Sequence, residues 1–264
     1  MSNSAIPYQV TSILGGVNVL ICRPEESAKE LACALSALGA NCHTLPTLDI
    51  VEVPVSELEK QYILSLDQYQ YVIVTSQHAA KIGLELIDNY WPQLPVEQTW
   101  LAIGLKTASL LANENLRLIS PEKDLTSEAL LKLSQLNKVK DQKILILKGK
   151  EGRETLAHVL VKRGARVDSI ELYERVCPTY TDNEIHAALI EFQANYIVAL
   201  SGETLINLIS LCEGLNIDLS SKTLIVPSHR VASIAYDHDF KSVLIPANLK
   251  PIDLIKSITN HKKT

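Results

Sequence analysis

Two stretches of this chain recur at a spacing of 125 residues. Val19-Leu20-Ile21-Cys22-Arg23, leading through Leu31 to Gly39-Ala40, is echoed by Ile144-Leu145-Ile146-Leu147-Lys148, leading through Leu156 to Gly164-Ala165. The same interval carries Tyr71-Val72-Ile73-Val74-Thr75-Ser76 onto Tyr196-Ile197-Val198-Ala199-Leu200-Ser201. A period this long exceeds the roughly 20–50 residues of a solenoid repeat and marks duplication into two similar lobes. Two lobes imply a cleft, and function is to be sought there.

Each copy opens on a short aliphatic run, continues as a helical pattern and closes on a second run. Strands are predicted at 18–22, 43–45, 71–75, 99–103, 117–119, 143–147, 166–172, 195–200, 222–226 and 242–245. Helices are predicted at 25–38, 77–88, 105–113, 152–163, 202–212 and 229–237. Pro24 suits a first helical turn, because it needs no amide partner there. Ala28, Leu31, Ala32, Leu35 and Leu38 form an apolar stripe at helical spacing, and Gly39 and Gly164 are natural stops. Continuous aliphatic strands alternating with helices indicate parallel sheets covered on both faces. The expected fold is therefore α/β, bilobed, with two similar five-stranded parallel-sheet domains. Periodicity leaves the partition open. The chain divides end to end near residue 140, or it crosses near Pro46-Thr47 and returns between Tyr173 and Pro178.

The 264 residues suffice for one large domain or two smaller ones, and 47% hydrophobic with 21% charged residues is ordinary for a chain with a sizeable core. A formal charge of −5 without a long Lys/Arg run argues against a general nucleic-acid binder. A small anionic substrate stays open, since a local cluster of cations is enough to hold it. Cys22, Cys33, Cys42, Cys177 and Cys212 are odd in number and form no CxxC pair. Neither a disulfide framework nor a zinc site is suggested, and a reducing intracellular setting is expected. His43, His78, His158 and His229 make no HExxH-like set, so no metal is expected. Residues 1–16 read as a loose leader rather than a signal peptide or membrane span, and residues 261–264 as a frayed, solvated tail.

Ligands of open α/β sheets bind outside the carboxyl ends of the strands. The polar residues just after the aliphatic runs are accordingly the shortlist. They are Arg23; Thr75, Ser76 and Gln77; Gly104 to Thr107; Lys148 to Arg153; Ser201 and Gly202; and Ser228 to Arg230. Ser76 and Ser201 precede helical patterns, where a hydroxyl caps free amides that also suit an anionic oxygen. Thr107 has the same choice between a first-turn helix role and a ligand contact. Lys148-Gly-Lys-Glu-Gly-Arg153 places glycines between cations but lacks the GxxxxGK[ST] pattern, and no GxGxxG occurs, so a nucleotide site is poorly supported. Arg153 suits a ligand carboxylate or its neighbour Glu154. Tyr173 reads either as a partly buried aromatic with a local partner or as a donor to a departing oxygen, a phenol being no ready base at neutral pH. No GxSxG elbow surrounds Ser76, and the acid pairs Asp49/Glu52 and Glu151/Glu154 read as solvated or hinge groups.

The order of these motifs resembles the uroporphyrinogen-III synthase family over nearly the whole chain after the leader. The matching pieces are Val19-Leu-Ile-Cys-Arg-Pro24, Val72-Ile-Val-Thr-Ser-Gln-His-Ala79, Ala102-Ile-Gly-Leu-Lys-Thr-Ala108, Ile144-Leu-Ile-Leu-Lys-Gly-Lys-Glu-Gly-Arg-Glu154, Arg163-Gly-Ala165, Glu171-Leu-Tyr-Glu-Arg175 and Val198-Ala-Leu-Ser-Gly-Glu203. The resemblance implies a second lobe, 50–172, inserted into a first lobe of 1–46 and 176–264 through two extended connections, 47–49 and 173–175. It implies conversion of the linear tetrapyrrole hydroxymethylbilane to uroporphyrinogen III, with loss of water and inversion of ring D, and without metal or organic cofactor. Tyr173 matches the family tyrosine expected to assist hydroxyl departure. Arg23, Thr75, Ser76, Gln77, Gly104, Thr107, Lys148, Arg153, Ser201, Gly202 and Arg230 are the expected substrate contacts. Where many relatives carry a second Ile-Gly-x-x-Thr-Ala, this chain has Val226-Pro-Ser-His-Arg-Val-Ala232, with Arg230 in place of the threonine. The reading expects a cytoplasmic monomer whose partner is the small-molecule substrate, not nucleic acid or membrane. A noncatalytic two-lobed binder of an anionic small molecule is the alternative.

Overall fold

The computed structural model describes residues 12–112, 114, 116–121, 126–152 and 154–263. The chain folds as two compact units, Met1–Asp49 with Cys177–Thr264, and Ile50–Val176. Among the described residues the element order starts with β1 (Asn18–Ile21), α1 (Glu25–Ser36) and β2 (Asn41–Thr44). Next come β3 (Asp49–Glu52), α2 (Glu57–Leu64), β4 (Tyr71–Val74), α3 (Gln77–Asp88), β5 (Thr99–Ala102), α4 (Leu105–Ala112) and β6 (Arg117–Ile119). They are followed by α5 (Ser127–Leu130), β7 (Lys143–Gly149), α6 (Thr155–Lys162) and β8 (Arg166–Val176). The first unit then resumes with α7 (Asp182–His186), β9 (Tyr196–Val198), α8 (Gly202–Cys212), β10 (Thr223–Ile225), α9 (His229–Asp237), β11 (Ser242–Leu244) and α10 (Pro251–Lys262).

The first unit's sheet runs β11-β10-β9-β1-β2, all parallel. The second runs β3-β8-β7-β4-β5-β6, parallel throughout β8 to β6. Substituting β7 and β8 for β1 and β2, and β4, β5 and β6 for β9, β10 and β11, makes the orders coincide apart from β3. The 125-residue echo is thus one arrangement cut at two different places in the chain. The second sheet has six strands rather than five, because Asp49–Glu52 adds an edge strand beside β8. A four-residue run with a single half-buried apolar side chain gave no aliphatic signal.

The central strands of both sheets are buried on both faces, which is why they read as unbroken apolar runs. Along β1 and the residue after it, Val19 and Ile21 pack with Leu31, Leu35 and Leu254, while Leu20 and Cys22 pack with Leu205, Leu208 and Val231. In the second unit Ile144 and Ile146 meet Leu156 and Leu160, whereas Leu145 and Leu147 meet Ala79, Ala80 and Ile87. Helices following the adjacent strands β1 and β9, or β7 and β4, therefore lie on opposite faces. Each sheet has its topological switch point there, the place where an open α/β sheet offers a crevice. Helix ends repeat as well. Gly39 and Gly164 both take positive φ, +90° and +87°, and the next amide closes back on Leu35 or Leu160.

β8 departs from the regular pattern. Lys148 pairs with Glu171 but Gly149 pairs with Tyr173, so one extra residue is accommodated in β8. As a result Leu172 and Tyr173, consecutive in sequence, both pack into the same core. The strand continues through Tyr173 to Val176, so residues 173–175 are β-structure up to the boundary with the first unit.

Both chain-end expectations need correction where the residues are described. Residues 1–11 lie outside the described residues, but Leu14 is fully buried and donates its amide to Leu38. At the other end α10 persists to Lys262, and His261 is docked rather than frayed. Its Nδ1 lies 3.0 Å from the Tyr196 hydroxyl and its Nε2 3.3 Å from Ser242 Oγ. The Lys262 ammonium donates to the Gly15 carbonyl. Burial pushes up the Cys22 thiol, and the Cys212 thiol to about 11. Among the described residues no helix is long and apolar enough to cross a membrane.

Candidate active site

The switch point of the second sheet opens into a cavity of about 810 Å³, bounded by the carboxyl ends of β4 and β7, the far half of β8 and the start of α6. Thr75, Ser76, Lys148, Gly149, Lys150, Gly152 and Tyr173 line it, with Glu59, Glu171 and His158. Its position follows from the topology, because α3 and α6 diverge to opposite faces and leave their first turns flanking the gap.

Ser76 caps α3: its hydroxyl accepts the Ala79 amide at 3.1 Å. The same oxygen lies 2.9 Å from the Tyr173 hydroxyl. Tyr173 is only 5% exposed, and its ring lies against the backbone of Gly149. A Cβ at Gly149 would sit 2.7 Å from Tyr173 Cζ and 3.0 Å from its hydroxyl, so any side chain there collides with the ring. The His78 ring stands 5.6 Å from the Tyr173 ring, tilted by 58°. Thr75 donates its hydroxyl to the Leu147 carbonyl at 3.2 Å.

Two of the cavity's cations, Lys148 and Lys150, have internal counter-ions. Lys148 Nζ is 3.0 Å from Glu171 Oε1, with side chains 12% and 38% exposed, and Lys150 Nζ is 2.9 Å from Glu174. The Glu174 hydrogen bond raises the Lys150 ammonium's affinity for its proton. Burial pushes Glu59 upward, but hydrogen bonds from the Ser56 amide and hydroxyl and from the Glu171 amide outweigh it, leaving its carboxyl below the usual range. No group of three or more His, Cys, Asp or Glu side chains converges as a metal ligand set among the described residues.

The sequence matches the family model described as uroporphyrinogen-III synthase HemD over residues 29–256. The chain belongs to the uroporphyrinogen-III synthase family. It is 28% identical over 250 residues to the uroporphyrinogen-III synthase of Escherichia coli K12, covering 92% of this chain and all of that relative. Two solved structures share the fold. The Thermus thermophilus uroporphyrinogen III synthase mutant superposes with a TM-score of 0.60 at 17% identity, covering 94% of this chain and 100% of the other. The Helicobacter pylori uroporphyrinogen-III synthetase gives 0.59 at 14% identity, covering 92% and 99%.

Among the residues expected at a synthase site, Thr75, Ser76, Lys148 and Tyr173 converge on the one cavity. Gln77 opens α3 with its amide nitrogen 3.3 Å from His78 Nε2, and does not line the cavity. Gly104 and Thr107 also lie outside its lining, with Thr107 buried in the first turn of α4. Arg153 falls outside the described residues. Arg23, Ser201, Gly202 and Arg230 belong to the first unit. Arg23, just after β1, is half-buried, and desolvation lowers its guanidinium's affinity for a proton against the opposing pull of Glu30. Ser201 caps α8 through the Thr204 amide. A Cβ on Gly202, at the start of that helix, would lie 3.6 Å from Arg230 Nη1.

Sequence reasoning passed over Glu59, Glu171 and Glu174, and had Gly149 only as part of the Lys148-to-Arg153 loop. Glu59 carried a usable signal, since Ser56-Glu-Leu-Glu59 is an S-x-x-E capping box ahead of a helix. The two partner glutamates carried none, because strand alternation does not reveal which acid opposes which lysine across a bulge.

Proposed function

We propose that this chain is a uroporphyrinogen-III synthase, a lyase and cyclase that closes hydroxymethylbilane to uroporphyrinogen III with inversion of ring D and release of water. The observation that carries the reading is the Tyr173 hydroxyl fixed in the cavity wall at 2.9 Å from the cap of α3, in a chain matched to the family over residues 29–256. In this reading Tyr173 hydrogen-bonds the ring-A hydroxyl as its C–O bond breaks. The pyrrole nitrogen supplies the electron pair, its N–H proton is lost, and the oxygen leaves as water. The resulting azafulvene is attacked by the substituted carbon of ring D to give a spiro intermediate, which rearranges before final closure.

The protein's main task is holding a flexible polyanion in the ring-inverting geometry, an entropic contribution that needs no acid/base dyad. Lys148 and Lys150, the first-turn amides of α3, and Arg23, Ser201, Gly202 and Arg230 in the other unit are the proposed acetate and propionate contacts. Thr107 is the proposed pyrrole-side-chain contact. The working form is a cytoplasmic monomer.

The test is incubation of purified protein with freshly generated hydroxymethylbilane, followed by separation of uroporphyrinogens I and III. Isomer III should dominate, whereas spontaneous closure gives isomer I. Production of isomer III no faster than in the protein-free control overturns the assignment and leaves a noncatalytic binder.

A further inference from the structure

We propose that Ser76 and Gly149 are positioning residues for Tyr173, with Ser76 donating its hydroxyl proton to the Tyr173 oxygen and Gly149 providing the gap in which the ring lies. This deepens the proposed function and rests on Tyr173 being the donor to the departing hydroxyl.

Donor order follows from what the phenolic proton must be free to do. A serine hydroxyl has one proton and two lone pairs, and one lone pair of Ser76 is taken by the Ala79 amide. Among the described residues the Tyr173 oxygen is the protein acceptor within reach of the Ser76 proton. If Ser76 donates to Tyr173, the phenolic proton is left for the cavity. In the reverse order the phenolic proton is spent on Ser76 and a leaving oxygen receives nothing. The sequence from Ala79 N–H through Ser76 O–H to Tyr173 O–H also polarises each bond in the direction that strengthens the last.

The ring's orientation has a separate cause. The extra residue in β8 turns Tyr173 to the face that Leu172 already occupies, and the missing side chain at Gly149 lets the phenol lie against the β7 backbone. The duplicated unit provides an internal contrast. Ser201, the counterpart of Ser76, caps α8 in nearly the same conformation, but its hydroxyl is 2.7 Å from Thr204 Oγ1. At the positions equivalent to Gly149 and Tyr173 that unit has Pro24 and Leu48. The cap is common to both units. Coupling it to a phenol is confined to the second.

Full-chain protein labelled with [13Cζ]tyrosine, with the Tyr173 resonance assigned by its loss in Tyr173→Phe, reads the hydrogen bond without any turnover. Ser76→Ala should move that resonance and lower kcat roughly tenfold or more with KM within about twofold, as expected for a misplaced reacting group. Ser76→Thr, which keeps both cap and hydroxyl, should restore both. Gly149→Ala leaves the cap untouched and should lower kcat while the melting transition stays cooperative, so it reports even if Ser76→Ala folds poorly. An unmoved Tyr173 resonance in Ser76→Ala, or a Ser76→Thr variant as impaired as Ser76→Ala, overturns the proposal. Wild-type protein that forms no isomer III overturns the function instead, and the resonance still decides the hydrogen bond.

Discussion

A phenol lowers the barrier to C–O cleavage only while its proton points at the leaving oxygen, so deleting that one atom isolates its contribution. Tyr173→Phe keeps the ring against Gly149 and removes the bond to Ser76. It should reduce kcat by about a hundredfold, the size of a typical proton-donating contribution, with isomer III still the enzymatic product. The Lys148–Glu171 pair makes a prediction of opposite sign at each end. In the proposed function a substrate carboxylate competes with Glu171 for the ammonium, and the pair is partly exposed. Glu171→Gln should therefore lower KM and Lys148→Gln raise it, each roughly three- to fivefold, as expected of a partly solvated ion pair, and both effects should shrink in high salt. Steady-state kinetics across ionic strength checks this. Lys148 was legible in the sequence as a cation after an aliphatic strand. That it is already neutralised was not, because its partner is set by strand register.

Among the elements, α2 ties the edge of the site to the fold. Ser56 and Glu59 form a complete capping box, and the second oxygen of Glu59 accepts the Glu171 amide at 3.2 Å. Ser56→Ala should cost about 1 kcal/mol in urea unfolding, the usual loss of a serine cap. The Glu59 carboxyl is held below its ordinary range, so its stabilisation is present above the unfolded value and is lost as pH falls through the depressed folded one. The wild-type stability advantage over Glu59→Gln should consequently fade on acidification below about pH 4, measured by denaturation at stepped pH. Elements with strong periodicity, such as α3, α8 and α9, were readable to the residue. α2 was missed because Glu57, Glu59, Lys60 and Gln61 dilute its apolar stripe, and α6 begins at Thr155 rather than 152. Nothing in Glu171-Leu172-Tyr173 announces a bulge, and yet it decides which way the tyrosine faces.

For the whole molecule, the repeat made the two sheets legible, while the cut points needed contacts that sequence period does not encode. The first unit is interrupted after Asp49 and resumes at Cys177, and Lys262 at the end of α10 binds the Gly15 carbonyl. A permuted chain that starts at Cys177, joins 263 to 12 through a short linker and ends at Val176 makes both units continuous. It should fold to the same far-ultraviolet spectrum and refold faster than the parent in stopped-flow experiments, because its pairings are more local. The natural order has a cost in time. Val19 of β1 pairs with Tyr196 of β9, yet the whole second unit is synthesised between them. At about 5–20 residues per second, β1 and β2 wait roughly ten to thirty seconds on the ribosome for β9. Throughout that interval Val19, Leu20 and Ile21, all fully buried in the fold, lack the strand that pairs with them on the β9 side. The insertion thus leaves β1 without its β9 partner until the whole second unit has been synthesised, and places a need for chaperone cover in that interval.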